Sequence, residues 1–224
     1  LGYFQSKWVA EKLVTLAREQ GLPVFIYRPG VIIGASQTGI WDNPDDFICR
    51  LIKGCIQLGT WPTVKAEWYL TPVDYVSKAI VHLAQQIAPE RKVFHLVNPH
   101  ALQLSELFDG IQAFGYPVQP APLPVWQAKL LALGMKPQEN ALGGLTPLLA
   151  KRRASAEQVS LPELFDHGQA PKFDCTNTLK AFTDPTLVCP PIDRQQLSTY
   201  LAYFIQSGFL AAPTQQPALA VLEN

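Results

Sequence analysis

Tyr3 and Lys7 are the residues whose types and spacing could do chemistry. In a helix, side chains four residues apart share one face, about 6 Å apart along the axis at ~1.5 Å rise per residue. A phenol ordinarily keeps its proton to pH ~10, and a cation beside it favours the phenolate. Such a phenol can pass a proton to an alkoxide near neutral pH, which is general acid catalysis. The same spacing occurs on plain solvated helix faces, so the pair takes its meaning from its surroundings.

A helix must position the pair. Val9, Leu13, Leu16 and Ala17 recur at helical spacing, which predicts one apolar stripe. Gly21 is a C-terminal stop, and Pro23 blocks continuation. Val24-Phe25-Ile26-Tyr27 reads as a short parallel strand buried on both faces. Arg28-Pro29-Gly30 ends it, and Val31-Ile32-Ile33-Gly34 follows. This is the second half of an α/β unit, and such sheets bind ligands beyond the carboxyl ends of their strands. Pro29 and Gly30 therefore lie where a ligand would approach the backbone.

Together, Tyr3-x-x-x-Lys7 and Arg28-Pro29-Gly30-Val31-Ile32-Ile33-Gly34 resemble the extended short-chain dehydrogenase/reductases. Four further runs are similar to the thioester reductase domains that end nonribosomal peptide and polyketide synthetases and occur in carboxylic acid reductases. They are Gly39 to Phe47, Leu51 to Cys55, Leu70 to Val76 and Val93 to Pro99. The likeness is dense from Leu1 to about Pro99 and thins towards Leu210.

The resemblance implies a fold, a reaction and partners. The fold is α/β, the C-terminal part of a Rossmann domain interleaved with a smaller, mostly helical substrate domain. Residues 1–34 and 71–98 would be Rossmann elements, 35–70 and 99–210 the substrate domain, and 211–224 a disordered tail. The reaction is NADPH-dependent release of an acyl or peptidyl chain, as aldehyde or alcohol, from the phosphopantetheine arm of a carrier protein. Tyr3 would protonate the carbonyl oxygen. Lys7 would assist Tyr3 and hydrogen-bond the nicotinamide ribose, and the backbone of Pro29, Gly30, Val31 and Ile32 would line the nicotinamide pocket. Arg28 reads either as half of a structural ion pair or as a group near the substrate carbonyl. Thr38, Trp41 and Asn43 match a family loop over the site, with Trp41 read as hydrophobic cover.

The family holds its dinucleotide through an upstream G-x-x-G-x-x-G loop on a helix N-terminus. No such loop occurs here, since Leu142-Gly143-Gly144-Leu145 has the wrong spacing, and the chain starts at Leu1. The expectation is a reductase cut just before its active-site helix, unable alone to hold the cofactor with useful affinity. Alternatives are another extended short-chain reductase, acting on an acyl-CoA or a ketone, or a non-catalytic interaction module.

Composition sets the outer bounds. The 224 residues are 48% hydrophobic and 16% charged, enough for a sizeable core, and the net charge is zero. A neutral balance argues against nucleic-acid binding. No apolar run approaches the ~20 residues of a membrane span, and no signal peptide precedes the first helix. Cys49, Cys55, Cys175 and Cys189 have no metal-ligand spacing and read as free thiols of a cytoplasmic protein. The four histidines show no paired pattern, so no metal site is expected.

Further elements follow from caps and periodicity. Asn43 as N-cap and Pro44 as first residue predict a helix to about Leu58. Trp61-Pro62 reads as loop, and residues 67–70 as a short strand. Thr71 caps a helix from Pro72, and residues 92–97 form a strand. Further helices are expected from about 104 to 115, 125 to 133, 137 to 152, 176 to 182 and 193 to 207. Lys151-Arg152-Arg153 is the one basic cluster, either a solvated helix end or a docking contact for an acidic carrier.

Overall fold

The computed structural model describes residues 2–85, 93–133, 140–150, 160, 162 and 172–213. Helices and short strands alternate in α/β fashion. The order is α1 (Gly2–Glu19), β1 (Ile26–Pro29), β2 (Val31–Ile33), α2 (Phe47–Leu58), β3 (Thr60–Thr63), β4 (Glu67–Trp68), β5 (Leu70–Pro72) and α3 (Val73–Ala84). Then come β6 (Val93–Leu96), β7 (Leu102–Gln103), α4 (Leu104–Phe114), β8 (Gln119–Pro122), α5 (Leu123–Ala132), α6 (Thr146–Leu149), α7 (Thr176–Ala181) and α8 (Arg194–Gln206). No helix among the described residues is long and apolar enough to cross a membrane.

Among the described residues the strands pair two by two. β1 with β6, β2 with β5 and β3 with β8 are parallel, and β4 with β7 is antiparallel. Gly30 separates the first two pairs. Its N–H donates to Leu96 O at 3.1 Å, while the next N–H, of Val31, donates to Tyr69 O at 3.2 Å. The chain thus changes strand partner within one residue. A Cβ on Gly30 would sit 2.7 Å from Tyr69 O and 2.8 Å from Thr71 Oγ1, so only glycine fits this crossing.

Two hydrophobic clusters result. The larger joins α2, β3, α4, α5 and α8, with Trp126, Phe108 and Phe204 fully buried at its centre. The smaller packs Tyr75, Val76, Ala79 and Leu83 of α3 on Phe94 and Leu96 of β6. Phe25 and Tyr27 pack against it, as do Ala181, Phe182, Leu187 and Cys189 from beyond residue 99.

Several expectations need local correction. The first strand is Ile26–Pro29, shifted two residues towards the C-terminus, and only half-buried. The stripe on α1 is not packed, since Val9, Leu13 and Leu16 are exposed. α2 begins at Phe47 rather than Pro44. Its N-cap is Asp46, which accepts from Cys49 N at 2.7 Å and from Trp41 Nε1 at 2.6 Å. Thr71 does not cap α3. Its hydroxyl donates to Tyr69 O at 3.2 Å and accepts from Asn98 N at 3.1 Å, tying the strands together. Residues 60–63 are a strand, not a loop, and the 67–70 strand breaks at Tyr69. In place of one helix over 137–152, the described part holds a 3₁₀ turn (Gly143–Leu145) and α6, with Ala150 extended. The Lys151-Arg152-Arg153 cluster and residues 214–224 lie outside the described residues.

Candidate active site

α1 carries the pair. Tyr3 and Lys7 fall within it one turn apart, and the Lys7 ammonium lies 5.7 Å from the centre of the Tyr3 ring. The cation therefore sits against the face of the phenol ring, an attractive arrangement in its own right. Tyr3 is 67% exposed. A donor that open can meet a partner from outside the described residues.

The next residue on this face, Glu11, fixes the helix to the sheet. Arg28 of β1 holds it with a two-pronged grip: Nε donates to Glu11 Oε2 at 3.0 Å, and Nη2 donates to Oε1. Hydrogen bonding by Arg28 draws the Glu11 carboxyl below its ordinary value, against a smaller opposing effect of burial. The Arg28 guanidinium is raised, first by the same hydrogen bond. Arg28 Nη1 also donates to His95 Nε2 at 3.2 Å, and His95 Nδ1 faces Asp174 O at 3.1 Å. Arg28 is thus engaged in a structural ion pair, one of the two roles its sequence position allowed.

This contact sets the height of the site. The chain turns back through Gly21, whose φ is +93°, so that β1 returns along α1 and Arg28 comes level with Glu11. Tyr3 lies eight residues before Glu11, about 12 Å along a helix. Ile32 lies four residues past Arg28, about 13 Å along an extended strand. Beyond Arg28, Pro29, Val31 (41%) and Ile32 (42%) are exposed, forming an open ledge on the strand run with Gly30.

Other residues singled out in the sequence make local structural contacts. Trp41 is buried in the larger cluster, and Thr38 accepts from Ile40 N at 3.3 Å. Asp74 accepts from Ser36 N at 3.0 Å and from the Ser36 hydroxyl at 2.6 Å, pinning the loop after β2 to α3. All four cysteines are free thiols, and no group of side chains among the described residues could hold a metal. Glu11, His95 and Asp174 were missed. Nothing local marks them, because Arg28 lies 17 residues from Glu11 and 67 from His95.

The arrangement offers a proton donor, an adjacent cation and an apolar ledge with accessible backbone. That set fits the reactive end of a nicotinamide. Among the described residues no glycine-rich turn opens a helix to cradle a pyrophosphate.

The chain is similar to known proteins. The NAD-binding family described as Male sterility protein matches residues 1–80. An isonitrile lipopeptide synthase from Streptomyces coeruleorubidus is 33% identical over 217 residues, which is 95% of this chain and 14% of that protein. The terminal R domain from the myxalamid PKS-NRPS biosynthetic pathway superposes with a TM-score of 0.79 at 41% identity, over 95% of this chain and 51% of that one. A thiolation-reductase di-domain from an archaeal non-ribosomal peptide synthetase shares the fold, with a TM-score of 0.70 at 21% identity over 91% of this chain and 40% of that one. The chain thus spans about a seventh of the synthase and half of the myxalamid domain.

Proposed function

Because this chain belongs to the extended short-chain dehydrogenase/reductases, among the terminal reductase domains of peptide and polyketide synthetases, we propose that it is the proton-donating part of a cytoplasmic, NADPH-dependent thioester reductase. Its substrate is an acyl or peptidyl chain held as a thioester on the phosphopantetheine arm of a carrier protein. Residues 1–34 and 71–98 serve the cofactor side, and 35–70 with 99–210 the substrate side.

When bound, the nicotinamide supplies hydride to the thioester carbonyl carbon. The Tyr3 hydroxyl gives its proton to the carbonyl oxygen as negative charge develops there. Lys7 stabilises the phenolate left behind and hydrogen-bonds the nicotinamide ribose. The backbone of Pro29, Gly30, Val31 and Ile32 lines the nicotinamide pocket. Protonation yields a hemithioacetal, whose collapse frees the carrier thiol and leaves an aldehyde. A second round gives the alcohol.

One observation carries this reading: Tyr3 and Lys7 share an open face of the helix that Glu11 ties to the strand leading into Pro29. The test is NADPH oxidation by the natural gene product with a carrier-loaded thioester. Tyr3→Phe keeps the ring and removes the acid, so turnover is expected to fall ~10²–10⁴-fold. Retention of activity within about tenfold, below the range for a lost general acid, would remove Tyr3 from the chemistry.

A further inference from the structure

We propose that Arg28 is a positioning residue: it sets the rotation and height of the Tyr3–Lys7 helix against the ledge, through a relay running Glu11–Arg28–His95–Asp174. The inference rests on the activity proposed above, and it concerns a residue that touches neither substrate nor cofactor in that scheme.

Three features of the relay carry it. First, much of α1 is exposed among the described residues. Its apolar residues Val9, Leu13 and Leu16 are exposed, so they do not fix its rotation by packing among the described residues. The bond from Arg28 is directional where packing would be permissive. A guanidinium meeting both oxygens of one carboxylate fixes angle as well as distance.

Second, the anchor lies on the working face. Tyr3, Lys7 and Glu11 follow one another at four-residue steps, so a torque at Glu11 acts on the face that presents the phenol and the ammonium.

Third, the anchor is itself braced. Arginine has only donors, so His95 Nε2 accepts from Arg28, which leaves the His95 proton on Nδ1, donating to Asp174 O. The ring also meets Phe173 edge-on, with centroids 6.1 Å apart. Arg28 is next to Pro29, the first residue of the ledge. One side chain thus references the proton donor and the ledge to each other.

The experiment uses Arg28→Lys, Glu11→Gln and the charge swap Glu11→Arg with Arg28→Glu, with Arg50→Ala as a control that breaks the exposed Asp45–Arg50 pair. Lysine keeps the charge and loses the fork. Amide hydrogen exchange is measured on this 224-residue chain. Arg28→Lys and Glu11→Gln are expected to speed exchange across α1 by roughly tenfold or more, through local opening, while α4 and α8 stay as in the parent. The control leaves α1 unchanged. In the natural gene product, each single variant is expected to lower kcat ~10²-fold, the scale of a ~1 Å misplacement, with KM nearly unchanged. The charge swap is expected to recover part of both signals. Unchanged α1 exchange in Arg28→Lys, or an unchanged kcat in an active gene product, overturns the proposal. An inactive parent with the exchange result intact sinks the reductase reading and leaves the anchor standing.

Discussion

The backbone of Gly30 and the carbonyl of Tyr69 approach so closely that a methyl group on Gly30 would lie 2.7 Å from the oxygen. Thr71 Oγ1, itself hydrogen-bonded to that carbonyl, would be 2.8 Å away. Neither neighbour can retreat easily. Tyr69 O accepts from both Val31 N and the Thr71 hydroxyl, and Thr71 also accepts from Asn98 N. Gly30→Ala is therefore expected to cost ~1–3 kcal/mol, the usual scale for an overpacked site. Urea unfolding of the two chains checks this. A midpoint equivalent to a change within ~0.5 kcal/mol, the scatter of an ordinary surface substitution, would mean that β5 yields freely.

Asp46 gives a second stability prediction. Its carboxylate caps α2 through Cys49 N and also takes the indole N–H of Trp41. Alanine removes a cap worth ~1 kcal/mol. It also strands a mostly buried donor, at ~1–3 kcal/mol. Asp46→Ala is expected to lose more than either effect alone. Asp46→Asn keeps an acceptor and should retain most of the stability. Equal losses for the two variants in thermal unfolding would show that the negative charge, rather than the acceptor geometry, carries the contribution.

The elements that were legible in advance are those whose signal is local. α3, α4, α8 and β6 fall close to their expected bounds because periodicity and β-branched content suffice to mark them. The start of α2 was not decided by propensity. Asn43-Pro44 and Asp46 both offer good caps, and the helix starts after Asp46 because only that carboxylate also meets Trp41. β3 was hidden by Pro62, yet a strand in a two-stranded pair has an open edge where a missing N–H is tolerated. The apolar stripe on α1 was read correctly as a pattern, but no pattern states whether a face is covered. The site divides in the same way. Tyr3 and Lys7 are four residues apart and visible by spacing. His95 and Asp174 join Arg28 only through pairings that cross 67 and 79 residues.

Asp74 makes a signed prediction about pH. Burial pushes its carboxyl up, but hydrogen bonds from the Ser36 hydroxyl and amide and from the first N–H groups of α3 outweigh it, and the net shift is downward. A depressed folded value means that the ionised group favours the native state. That contribution is complete above the unfolded value of ~3.9 and fades as pH falls through the lower folded value. Asp74→Asn removes the titration. Stability is expected to drop more steeply in the parent than in the variant between about pH 5 and pH 3, so the two curves converge in acid. Chemical denaturation at several pH values reads this directly, and parallel curves would refute it.

The cysteines supply the last prediction, and it reaches back to the site. Cys49, Cys55 and Cys189 are buried, while Cys175 is partly open. Burial raises all four thiols, and Cys189 is pushed up to about 12. The thiolate is the reactive form, so raised, covered thiols react slowly at pH ~8. A thiol reagent should therefore label one group in the native chain, at Cys175, and four after unfolding. Cys175 follows Asp174, whose carbonyl meets His95, and its own Sγ donates to Val97 O at 3.4 Å. A bulky adduct there must displace one of these contacts. If the relay holds α1, labelling Cys175 is expected to loosen that helix in the same exchange measurement that detects Arg28→Lys. Cys175→Ala treated identically should not respond. Native labelling of two or more thiols at comparable rates would contradict the packing of at least one of the two clusters.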